Sequence, residues 1–84
     1  MTYTAIYSRH HIIENEDFET LEEARLCIQW GNETEEMFGI CILNKEENKA
    51  WLPKGYDEFP SKLVDYKKHI GDATIEGYYE DFPD

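Results

Sequence analysis

Few side chains in this 84-residue chain can do chemistry, and their spacing argues against most of it. The histidines are His10, His11 and His69. A general base or a metal ligand needs convergent partners. His10 and His11 are neighbours that would face opposite sides of a strand, and no HxH, HxxxH or HExxH spacing occurs. Ser8 lies near this pair but lacks the glycines of a nucleophile elbow, and Ser61 is better explained by the start of a helix. Cys27 and Cys41 are too far apart for a CxxC pair, and no other thiol exists to complete a zinc site. Each sits in an apolar run, so buried free thiols and a reducing cytoplasm are expected. A Cys27–His69 nucleophilic pair has no supporting motif. Calcium-loop spacing is absent, and the five glycines are scattered rather than gathered into a phosphate-cradling loop. The expectation is a protein without catalytic residues, metal or cofactor.

Charge carries more information. The net charge is −11, from 19 acids against 8 bases. Such an excess disfavours nucleic-acid backbone and anionic membrane surfaces, because both are bound through Lys and Arg. The natural partners are cationic: a basic protein surface above all, a basic peptide or a metal ion. The acids are also unevenly placed: residues 14–36 hold nine acids and one base, and residues 72–84 hold five acids and no base. The candidate partner-binding residues are therefore Glu14, Glu16, Asp17, Glu19, Glu22, Glu23, Glu33, Glu35 and Glu36, with Glu80 and Asp81 in the tail. Tyr and Trp are enriched where interfaces are strongest, which adds Trp30, Tyr78 and Tyr79, with Trp30 and Trp51 the expected partly exposed anchors. A nucleic-acid mimic needs carboxylates near phosphate spacing, about one charge per 1.7 Å of duplex axis. The row from Glu14 to Glu23 is the candidate for that pattern. The plainer alternative is a solvated helix face with ordinary acidic loops.

These residues need elements to position them. Alternation and β-favouring types predict a strand over Thr2–Ser8, with His11, Ile12 and Ile13 extending it past a bend. Glu14–Asp17 reads as an acidic turn. Thr20-Leu21-Glu22-Glu23 matches a capping box, and Leu21, Ala24, Cys27 and Ile28 then share one helical face. Gly31 is the expected terminator. Met37–Leu43 reads as a central strand, Asn44–Asn48 as a hairpin connection, and Lys49–Leu52 as the returning strand, stopped by Pro53. A second helix is expected from about Pro60 to Ile70, then a strand over Thr74–Tyr79, with residues 78–84 as an acidic, aromatic tail. The order β-α-β-β-α-β predicts one α+β domain over residues 1–84, a mostly antiparallel sheet with two helices on one face.

This plan of a short strand, a capped acidic helix beginning Phe18-Glu19-Thr20-Leu21-Glu22-Glu23-Ala24 and an apolar hairpin strand is similar to small proteins encoded by phages and mobile elements. The resemblance spans Tyr3 to Leu52. It implies no catalytic or binding residues, and it favours counter-defence inhibitors, many of them small, acidic and non-catalytic. The expected function is a binding or inhibitory protein that engages a basic surface. The alternative is a homodimeric or antitoxin-like module that uses its aromatic and apolar face.

Overall fold

In the computed structural model, which describes residues 1–53 and 67–79, β1 (Tyr3–Arg9) folds back onto β2 (Ile12–Phe18). Only His10 and His11 lie between the two strands. Both hold positive φ, 52° and 67°, as the central positions of a two-residue type I′ hairpin turn require. The segment expected to be an acidic turn, Glu14–Asp17, is therefore strand, paired residue for residue with Ala5, Tyr7 and their neighbours. β1 supplies the pairing template that the polar sequence of β2 does not advertise.

Helix α1 (Leu21–Glu33) begins at the expected cap. The Glu23 backbone N–H donates to the Thr20 hydroxyl oxygen at 3.1 Å. The reciprocal arm differs from the usual box, because here the Thr20 hydroxyl donates to the Glu23 carboxylate at 3.0 Å. Gly31 does not end the helix. It lies two residues inside the last helical residue, Glu33, where a side chain would collide with Met37. The end is a Schellman arrangement around Glu35, at φ 59°. The Glu36 N–H donates to the Gly31 carbonyl and the Glu35 N–H to the Asn32 carbonyl.

Strands β3 (Phe38–Asn44) and β4 (Lys49–Pro53) form the expected hairpin, and β5 (Thr74–Tyr79) is the expected last strand. The sheet order is β2-β1-β3-β4-β5, antiparallel throughout except for the β4–β5 pair. This is the α+β class expected, with a mostly antiparallel sheet. Residues 67–70 are helical, while the rest of the expected second helix, residues 60–66, lies outside the described residues.

The sheet is buried on both faces. Ala5, Tyr7, Ile42 and Tyr79 pack with Ala24 and Ile28 of α1. Ile6, Cys41, Leu43 and Leu52 point the other way and pack with Ile70 and Ala73. The two helical segments thus lie on opposite faces rather than on one. Topology explains this. β2 and β3 are mutually parallel, and so are β4 and β5, but the two pairs run in opposite directions. Both crossovers step the same way along the sheet, so connections of the same hand must pass on opposite sides. Burial on both faces also explains the unbroken apolar run of β3. Within it Ile40 is an extra residue between the pairs Tyr7–Gly39 and Ile6–Cys41, a bulge that turns Ile40 and Cys41 towards the same cluster.

Candidate partner-binding surface

The nine acids of residues 14–36 do not form one row. Strand alternation puts Glu14 and Glu16 on the α1 face of the sheet, opposite Tyr7 and Ala5. Asp17 points to the other face, where it accepts a hydrogen bond from the Thr4 hydroxyl at 2.7 Å. Glu19 stands exposed in the β2–α1 connection. Glu22 pairs with Arg25 at 2.6 Å, and Glu23 is held by the Thr20 cap. Glu33, Glu35 and Glu36 gather at the far end of α1. The row from Glu14 to Glu23 is thus split between the two faces of β2, the β2–α1 connection and the start of α1.

What the fold does create is a flank between β2 and α1. Glu23, Cys27 and Trp30 are spaced i, i+4, i+7 and so share one side of the helix. Cys27 is half-buried on this side, and burial first, then the charge of Glu16 on β2, push its thiol up from the ordinary value. Tyr7 forms part of the floor. Burial raises its phenol first, then Glu16, Glu14 and Cys27, with Arg9 opposing. The field of Glu14 and Glu16 therefore reaches into this flank. Among the described residues the ion pairs engage Glu22, Glu47 and Glu76, and neither Glu14 nor Glu16 takes part. Trp30, on the same side of α1 as Cys27, has 57 % of its surface exposed. A flank of this kind offers a cation carboxylates and an aromatic face.

The aromatic expectations divide. Trp30 is exposed as an anchor should be, and Tyr78 is 43 % exposed. Tyr79 is 1 % exposed and belongs to the core, so it cannot serve as a contact residue. The register places it on the α1 face, where it closes over Gly39 and approaches so near that a side chain there would strike its hydroxyl. Tyr78 and Tyr79 are β5 residues rather than tail. Glu80 and Asp81 lie outside the described residues. Trp51 packs against Tyr3, with ring centroids 5.7 Å apart, and is half-buried.

The residues weighed first for chemistry also meet at one place. Ser8, His10, His11, Glu35, Glu36, Met37 and Phe38 line a shallow open depression at the hairpin end. Among the described residues no hydrogen bond links Ser8 to either histidine, and no cluster of three or more His, Cys, Asp or Glu suits a metal ion. Cys27 is half-buried and Cys41 fully buried, both as free thiols. Among the described residues no helix is long and apolar enough to cross a membrane. Sequence reasoning missed Tyr7 and Cys27 beside the acids, since the β1–β2 register sets Tyr7 opposite Glu14 and the docking of α1 brings Cys27 near Glu16. No protein-family model, curated protein or solved structure matches the chain.

Proposed function

We propose that this protein is a non-catalytic binding protein that captures a basic protein surface through the α1–β2 flank. The nucleic-acid-binding groove of a nuclease or defence enzyme is a surface of that chemistry, and covering it would inhibit its owner. The observation that carries the reading is the pair Glu14 and Glu16, on the face of the sheet that α1 covers and joined by no cation among the described residues, with Trp30 of α1 exposed. Carboxylates without internal partners are available to steer and hold a cationic group, and an exposed Trp adds anchor area. The electrostatic part of such capture weakens with salt.

The test is inhibition of a panel of basic nucleases, measured from about 50 to about 200 mM salt. Inhibition that falls with salt and is weakened by E14Q/E16Q and by Trp30→Ala supports the reading. Inhibition unchanged by salt and by all three substitutions sinks it.

A second reading, self-association, rests on a different observation. Ile13 and Phe38 both pair with Ser8, lie on the face opposite α1, and are 48 % and 60 % exposed. Sedimentation across a concentration series would reveal a dimer, and Phe38→Asp would dissolve it. A monomer at every concentration removes this alternative.

A further inference from the structure

We infer that the outer edge of β2 receives an extended basic segment of the partner as a sixth strand, antiparallel or parallel to β2. This rests on the reading of the α1–β2 flank as a capture surface and specifies what it captures.

β2 stands at the end of the sheet order, and all of its residues but Phe18 are exposed. In a two-residue hairpin the residues flanking the turn exchange hydrogen bonds, so Arg9–Ile12, Tyr7–Glu14 and Ala5–Glu16 are the bonded pairs. The N–H and C=O groups of Ile13, Asn15 and Asp17 then point away from β1, which leaves an unfilled ladder. Proteins commonly blunt such an edge with Pro, Lys, a bulge or a short strand. β2 has no Pro, Lys or bulge, is seven residues long and keeps an unbroken register with β1; its protection is the carboxylates of Glu14, Glu16 and Asp17, which repel acidic strands and leave basic ones admissible. The opposite edge, β5, is interrupted by the extra residue Glu76.

Charge selects the occupant. A second copy of β2 would set Glu14 and Glu16 against more carboxylates, and like charges across a strand pair are unfavourable. A strand with Lys or Arg at alternate positions would instead face Glu14 and Glu16 on the α1 side. Its intervening residues would lie on the side of Ile13. Strand addition of this kind takes affinity from main-chain bonds and specificity from alternate side chains.

The probe is a short synthetic peptide alternating lysine and valine, compared with the same peptide N-methylated at alternate residues. N-methylation keeps the charge and removes the ladder donors. Titration calorimetry should show the methylated peptide binding at least about tenfold more weakly. Amide exchange at Ile13, Asn15 and Asp17 should slow on addition of the unmethylated peptide. In the protein, Asn15→Pro deletes an outward N–H without touching the β1 ladder, and it should abolish the difference between the two peptides while the melting transition remains cooperative. If both peptides bind equally and E14Q/E16Q weakens both, strand addition is overturned while basic capture stands. If neither binds, both readings fall.

Discussion

Two residues sit where their own chemistry is least comfortable, and each yields a measurable consequence. Glu35 adopts φ 59° at the end of α1, a left-handed position where any side chain with a Cβ is strained. Glycine there keeps both Schellman bonds and removes the strain. Glu35→Gly is expected to raise stability by about 1 kcal/mol in urea denaturation, despite the entropy glycine gains in the unfolded chain. A loss of stability would mean that the Glu35 side chain contributes more than its backbone costs. Cys41 is buried, and burial pushes its thiol from 9.0 up to about 12. Its folded value lies above its unfolded value, so the stability it contributes is complete below pH 9.0 and disappears as pH climbs towards about 12. Cys41→Ala should therefore lose less stability than the parent chain over that interval, whatever the cavity costs at neutral pH. Parallel losses would show that other groups dominate the alkaline limb.

Local signals made some elements legible and left others hidden. The start of α1 was readable because a capping box is local: Thr20 and Glu23 meet within one turn. β3 and β4 were readable from their apolar residues and the polar turn between them. β2 was not, because its sequence Ile-Ile-Glu-Asn-Glu-Asp-Phe buries almost nothing and becomes strand only by pairing with β1. Its turn was hidden for a second reason, since His10-His11 replaces the Asn-Gly or Asp-Gly that usually marks a type I′ hairpin. Replacing the pair with Asn-Gly should stabilise the fold by roughly 1 kcal/mol, measured by thermal melting. An unchanged or lowered midpoint would show that the histidine rings make compensating contacts. The acidic candidates were legible as a composition, but their division into a flank, a cap and a helix end was not. Which carboxylates stay available depends on where α1 lies against β2, and no short-range pattern encodes that.

The whole molecule carries a charge of −11, and every carboxylate without a partner adds to its self-repulsion. Raising salt from about 0.01 M to about 0.15 M shortens the screening length from about 30 Å to about 8 Å. The melting temperature should therefore rise by several degrees over that range, and E14Q/E16Q should flatten the rise. A midpoint that falls with salt would require net-favourable ion pairs that outweigh the repulsion. The placement of Tyr79 acts at this same scale, through time rather than charge. Its ring closes the core against Ile28 and Gly39, yet it comes 35 residues after Asn44, the end of β3. In the folded chain the space between α1 and Gly39 is filled by Tyr79, a side chain of the last described strand. Completion of this core therefore waits for residue 79 to be made, so a contact of long sequence separation is the one that closes it.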